Sequence, residues 1–248
     1  MCYETYGTEG NPTLLLLHGA AAKDTFCHLY RPLSQRYFLV IPHLPGGGEV
    51  AGESYDPEQV TRALAELTDQ LGERPVGVAG HSLGGQLALR LLCARPERFR
   101  CGVLLSPWVC PREGTIRLYC QSARYLMWAF RWRWLVELQG RYWGYDKNQQ
   151  AAMARDAKQL TLEQYQSFFS RTTRLSELPE YEKLTLPMLA VCGSGELGEM
   201  KASVHALARE NPNCKAVILP GASHDFPMRR PEALLRLLED FLEVHLHD

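Results

Sequence analysis

Residues 75–85 read Pro-Val-Gly-Val-Ala-Gly-His-Ser-Leu-Gly-Gly, and Gly80-His81-Ser82-Leu83-Gly84 within them is a G-x-S-x-G. A short apolar, β-branched run leads in and a helix-forming run, Leu83 to Ala94, leads out, so the serine falls on a tight strand-to-helix turn. Such a turn holds the serine in a strained backbone conformation with its hydroxyl exposed above the sheet. Glycines flank it because a Cβ at either position would collide with the neighbouring strand or helix. The turn also puts the backbone N–H of Leu83 at a helix N-terminus, where it can stabilise a developing oxyanion. A lone G-x-S-x-G is common by chance; this context marks Ser82 as a candidate nucleophile.

Short apolar runs alternate with helical runs along the rest of the chain. Strands are predicted at Thr13–His18, Tyr37–Pro42, Pro75–Gly80, Gly102–Ser106, Met188–Gly193 and Ala216–Pro220. Their continuous apolar character suits a sheet covered on both faces. Asp56-Pro57-Glu58 supplies an N-cap and an N1 proline for a helix reaching about Leu71. Leu83–Ala94 is closed by Arg95-Pro96, Ala202–Glu210 is followed by Asn211-Pro212, and Pro231-Glu232 opens a terminal amphipathic helix running towards His245. The alternation specifies an α/β class with a doubly wound, mostly parallel sheet.

The alternation stops between about Pro107 and Lys183. That stretch contains no strand-like run, reads as helices with Ile116–Leu138 and Lys147–Thr173 the clearest, and holds all five tryptophans: Trp108, Trp128, Trp132, Trp134 and Trp143. It is read as a helical lid (107–183) inserted into a core of residues 1–106 and 184–248. Laid over the carboxyl edge of the sheet, where open α/β sheets bind ligands, its aromatics would line a substrate pocket. The arginines there (Arg112, Arg117, Arg124, Arg131, Arg133, Arg141) are expected on the solvated face, since they fall at helical spacing beside apolar residues.

At 248 residues the chain suits one α/β domain with room for an insertion, and its 46% hydrophobic and 22% charged residues are ordinary for a globular protein. A net charge of −1 and the lack of a long basic run give no reason to expect nucleic acid as a partner. The first residues lack a basic start and an apolar stretch, and no window approaches the ~20 apolar residues that span a bilayer, so a cytoplasmic protein without stable membrane insertion is expected. The eight cysteines are read as reduced thiols, several in the core. No C-x-x-C or H-E-x-x-H occurs, and neither a metal nor an organic cofactor is called for.

A serine hydroxyl at neutral pH needs a base, and the base needs an orienting acid. His224 lies in the loop after the last predicted strand and reaches the same rim as Ser82, whereas His205, His245 and His247 fall on helices or the tail and His28 on a helix. Glu196, in Ser194-Gly195-Glu196 after the strand at Met188–Gly193, is the first choice of acid, with Glu199 the alternative. His18-Gly19-Ala20 follows the first long strand, and the N–H of Ala20 is a second oxyanion donor beside that of Leu83. His18 and His81 are read as structural.

The chain order Ser82, Glu196, His224 resembles that of the α/β-hydrolase superfamily, and the resemblance runs over nearly the whole length. Leu14–Gly19 looks like the family's apolar strand ending in His-Gly, and Pro42-His43-Leu44-Pro45-Gly46-Gly47-Gly48 like its Pro-Asp-x-x-Gly-x-Gly loop. Arg95-Pro96-Glu97-Arg98-Phe99 looks like its Pro-Glu-Arg-Val, Gly193-x-x-Glu196 matches its acid position, and Gly221-x-x-His224 resembles its histidine motif. Three departures stand out: His43 replaces the usual aspartate, the acid is glutamate, and the family's first strand or hairpin is expected to be missing. The resemblance implies a serine hydrolase acting on an ester or thioester of a small to medium apolar substrate. The same fold also accommodates carbon–carbon bond hydrolases and elimination-type lyases acting on carboxylate-bearing substrates, and some non-catalytic ligand-binding members.

Overall fold

The structure is a computed structural model describing residues 1–72 and 76–246. Its strands among those residues are β1 (Tyr3–Tyr6), β2 (Thr13–Leu17), β3 (Phe38–Pro42), β4 (Val76–His81), β5 (Phe99–Leu105), β6 (Met188–Gly193) and β7 (Cys214–Leu219). They form one seven-stranded sheet in the order β1-β3-β2-β4-β5-β6-β7. β2 to β7 pair in parallel, and β1 runs antiparallel to β3. β1 is not among the six strands predicted from the sequence, and it adds an antiparallel edge to them. β1 was illegible because it is a four-residue edge strand with three of its residues exposed, so it has no apolar run. Pro75 of the expected strand Pro75–Gly80 and His247 of the tail lie outside the described residues.

The helices are α1 (Cys27–Leu33), α2 (Pro57–Gln70), α3 (Leu83–Ala94), α4 (Glu113–Phe130), α5 (Arg133–Tyr142), α6 (Lys147–Gln159), α7 (Leu162–Ser170), α8 (Gly198–Glu210), α9 (Phe226–Arg229) and α10 (Pro231–His245). Asp56 caps α2 as read, its Oδ1 accepting from the N–H groups of Glu58 and Gln59, both at 3.0 Å. Alternate residues of each central strand enter opposite layers. Leu15, Leu17, Val78 and Leu104 pack with α2, α3 and α8, whereas Leu14, Leu16, Ala79 and Val103 pack with α1 and α10. Both layers are apolar, which is why the strands read as unbroken hydrophobic runs.

Four helices, α4 to α7, lie between β5 and β6 where the strand alternation stops. The two long helices expected there are each divided. A break at Arg131–Trp132 separates α4 from α5, and Thr161 opens α7 with a capping box, its Oγ1 accepting from the Gln164 N–H while the Gln164 side chain accepts from the Thr161 N–H. The segment is fastened to the body at several points. Asp156 of α6 accepts from the Gly48 N–H at 2.8 Å, His28 of α1 donates to the Trp143 carbonyl at 2.9 Å, and Thr172 donates to Gln86 at 2.9 Å.

Candidate active site

The strained turn expected at Ser82 is present. Ser82 adopts φ 54°, ψ −114° between the end of β4 and the first residue of α3. A Cβ on Gly80 would stand 2.1 Å from the Gly84 carbonyl oxygen, and one on Gly84 would stand 2.0 Å from that of Leu17 at the end of β2. Both glycines therefore answer to contact with backbone, which cannot give way, and α3 can approach β2 and β4 only because neither carries a side chain.

The parallel order of β2, β4, β5, β6 and β7 brings five strand ends to one edge. His18-Gly19-Ala20 follows β2, Ser82 follows β4, Ser106 follows β5, Glu196 follows β6 and His224 follows β7. Ser82 Oγ lies 3.0 Å from His224 Nε2, and His224 Nδ1 lies 2.7 Å from Glu196 Oε2. Glu196 is buried, and its Oε1 accepts from the Ser106 hydroxyl at 2.7 Å and the Gly193 N–H at 2.6 Å. Burial pushes this carboxyl upward, but the hydrogen bonds from His224, Gly193 and Ser106 outweigh it and hold the pKa below the ordinary value. An ionised carboxylate only accepts, so Nδ1 carries the imidazole proton and Nε2 is left to accept from the Ser82 hydroxyl.

Glu199, the alternative acid, is engaged elsewhere. It accepts from Trp108 Nε1 at 2.9 Å, the Arg112 N–H at 3.1 Å and the Thr115 hydroxyl at 2.5 Å, tying α8 to the start of α4. His18 is fully buried, donating through Nδ1 to the Gly19 carbonyl at 2.7 Å and accepting at Nε2 from the Leu44 N–H at 3.0 Å. It pins the loops after β2 and β3 to one another. His43 holds the second of these loops from within, its Nδ1 accepting from the Glu49 N–H at 3.1 Å while its Nε2 faces Glu4 at 3.3 Å. His81 is buried beneath the site and donates through Nε2 to the His224 carbonyl at 2.8 Å.

A cavity of about 520 Å³ opens over Ser82 and His224. Gly19, Ala20 and Leu83 line it near the serine, and Trp108, Tyr119, Trp143, Tyr165, Phe168 and Phe169 of the 107–183 segment form its aromatic wall. Two of the five tryptophans thus face the pocket. Arg112, Arg117, Arg124, Arg131, Arg133 and Arg141 are all exposed, and neither Lys nor Arg occurs among the residues that line the cavity. Sequence reading did not single out Ser106 or Gln86. Ser106 carries no motif, and its contact with Glu196 exists only because β5 and β6 are neighbours. Gln86 lies four residues after the serine on α3, where its Oε1 accepts from the Thr173 N–H at 2.7 Å and draws the segment's end to the pocket floor.

A model of the alpha/beta hydrolase family matches residues 14–237. The chain belongs to the alpha/beta hydrolase family. It is 33% identical to Lipase LipV of Mycobacterium tuberculosis over 115 residues, which make up 46% of this chain and 44% of the lipase. It is 26% identical to the pimeloyl-acyl-carrier-protein methyl ester esterase of Aeromonas hydrophila over 250 residues, 93% of this chain and 95% of the esterase. The first of these matches thus spans less than half of its relative's length. Among solved structures, E-2-(acetamidomethylene)succinate hydrolase superposes with a TM-score of 0.76 at 21% identity, over 97% of this chain and 94% of that one. This α/β hydrolase therefore shares its fold with enzymes that differ in substrate. No helix among its described residues is long and apolar enough to cross a membrane.

Proposed function

We propose that this α/β hydrolase is a serine esterase or thioesterase that transfers the acyl group of a small to medium, uncharged apolar substrate to water. Ser82 is the nucleophile, His224 the general base and acid, and Glu196 the group that orients the imidazole. The observation that carries the reading is the continuous hydrogen-bonded line Ser82–His224–Glu196, at 3.0 and 2.7 Å, on the floor of the aromatic cavity.

In the first step His224 Nε2 takes the Ser82 proton as Oγ attacks the carbonyl carbon, and the carbonyl electron pair moves onto oxygen. The backbone N–H groups of Ala20 and Leu83 hold that oxyanion, which the helix N-terminus of α3 also favours. The imidazolium then donates its proton to the leaving alkoxide or thiolate. Water, deprotonated by the same nitrogen, attacks the acyl-serine and releases the carboxylic acid, returning the proton to Ser82. Glu196 stays ionised throughout and stabilises the transient imidazolium. The helices of 107–183 act as a lid whose aromatic wall excludes water from the acyl chain.

The absence of cationic side chains among the lining residues favours a neutral ester over the carboxylate-bearing substrates of carbon–carbon hydrolases and lyases. Ser82→Ala should abolish turnover of short p-nitrophenyl esters and labelling by a fluorophosphonate while leaving the circular dichroism spectrum unchanged. Full activity in that variant would end the assignment.

A further inference from the structure

The two faces of α4 are sharply divided. At 100° per residue, Ile116, Tyr119, Cys120, Ala123, Met127 and Phe130 fall on one side and pack inward. Tyr119 stacks on Phe169 at 5.1 Å and forms part of the pocket wall. The opposite arc, about 140° wide, carries Arg117, Arg124 and Arg131 along one edge and Leu118, Tyr125 and Trp128 along the other. These outward apolar residues are not covered by anything in the fold. Tyr125 is 76% exposed, Trp128 61%, Trp134 on α5 59% and Trp132 between the helices 48%. Leu138 and Tyr142 continue the surface along α5. A contiguous apolar face of this kind on a water-facing helix pair marks a docking surface.

Its charge says what it docks on. Residues 112–141 hold six arginines against two glutamates, a net charge of +4, in a chain whose whole net charge is −1. Arg131-Trp132-Arg133-Trp134 sets a cation beside each indole. Next to them, Arg133, Arg155 and Lys158 line a hollow of about 270 Å³ between α5 and α6. Indole and phenol rings belong at a boundary that is apolar on one side and wet on the other, and guanidinium groups on long stems reach phosphate from an apolar bed. A lipid headgroup layer offers phosphate and hydrocarbon side by side everywhere, so side chains that point outward in two parallel rows need no fixed register to be satisfied. A protein partner would have to match each of them in place.

We infer that the outward face of α4 and α5 is a peripheral docking surface for an anionic phospholipid bilayer. The arginines and the α5–α6 hollow take the phosphates, and Tyr125, Trp128, Trp132 and Trp134 enter the headgroup–acyl boundary without spanning the membrane. Because α4 faces lipid on one side and the cavity on the other, docking sets the pocket wall next to the acyl phase.

Flotation of the full chain with equimolar phosphatidylglycerol–phosphatidylcholine vesicles, against pure phosphatidylcholine vesicles, tests this. Binding to the anionic vesicles is expected, with a blue shift of tryptophan emission and a steep loss on raising salt. An Arg117→Gln, Arg124→Gln, Arg131→Gln triple variant should lose on the order of 100-fold in partition, about fivefold per cation. A Trp128→Ala, Trp132→Ala, Trp134→Ala variant should lose the blue shift, with circular dichroism as the control for folding. Ser82→Ala should bind like the wild type, so the outcome is independent of the catalytic reading. Equal binding to both vesicle types, or binding to neither, overturns the inference for the unmodified chain without recourse to variants. So does a concentration-dependent dimer, or a complex with a soluble acidic protein, that forms through this face while vesicles do not bind.

Discussion

Glu196 is held at both oxygens, and each contact has a separate consequence. Its Oε2 faces His224 and its Oε1 takes the Ser106 hydroxyl and the Gly193 N–H. Replacing it with Gln puts an amide where a carboxylate fixed the tautomer, so kcat for a short ester should fall by roughly 1000-fold with KM little changed. Ser106→Ala removes one of the donors that keep the carboxyl ionised and in place. A fall in kcat of about fivefold to tenfold is expected, matching the loss of one hydrogen bond to a charged group. Wild-type steady-state kinetics in the Glu196 variant would mean that the carboxylate is a bystander, and in the Ser106 variant that its hydroxyl is. Ser82, His224 and Glu196 were legible because each follows a strand that announces itself. Ser106 follows one too, at the end of β5, but a serine there means nothing until β6 is known to lie beside it. Its φ of 47° shows the backbone turning at that point to serve the contact.

Among elements, α3 was read to the residue because its start is the motif and its end is Arg95-Pro96. The helices of 107–183 were harder. Thr161-Leu162-Glu163-Gln164 carries a visible capping signature inside what looked like one long run, so the α6–α7 boundary was available in the sequence. Nothing comparable marks Arg131–Trp132; there the chain breaks so that Val136 of α5 can pack on Ala154 and Ala157 of α6. Packing decides glycine tolerance in the same way. Gly84→Ala drives a methyl into the carbonyl oxygens of Leu17 and His18, so it should destabilise the fold by about 3 kcal/mol or prevent its recovery. Gly114→Ala, at the second position of α4, meets nothing within 4 Å and should instead stabilise by roughly 0.5 kcal/mol. Urea denaturation of the two variants gives both signs, and equal shifts would refute the contrast.

For the molecule as a whole, two buried histidines set a pH limit. Burial pushes the His18 imidazole down to about 4. Burial, reinforced by the His224 imidazole, pushes His81 down to about 3. An unfolded histidine takes up its proton near 6.5, so below that pH the unfolded chain binds protons that the native state refuses. The stability these groups contribute is complete above about 6.5 and drains away as pH falls towards 4 and 3. Each costs about 1.4 kcal/mol per pH unit, so the unfolding free energy should drop by roughly 3 kcal/mol between pH 6.5 and 5. Glu4, held down at about 2 chiefly by its hydrogen bond to His43, adds a further loss as pH falls from its ordinary value through 2. A flat denaturation profile over that range would show the two imidazoles to be open to water. The sequence reading expected both to be structural and His81 to face the sheet interior, but the depth of burial that moves each imidazole depends on the packed fold.

The loop after β7 carries more than His224. The neighbouring Asp225 accepts from Trp143 Nε1 at 3.3 Å, the Arg229 guanidinium lies 4.3 Å over the Tyr142 ring, and His81 grips the His224 carbonyl from below. His224 and the far end of α5 thus share one foundation. The 107–183 segment is therefore no interchangeable cassette. A chimera that grafts a relative's helices onto this sheet must bring its own replacement for the Trp143–Asp225 tie, or the histidine will lose its seat along with the old specificity.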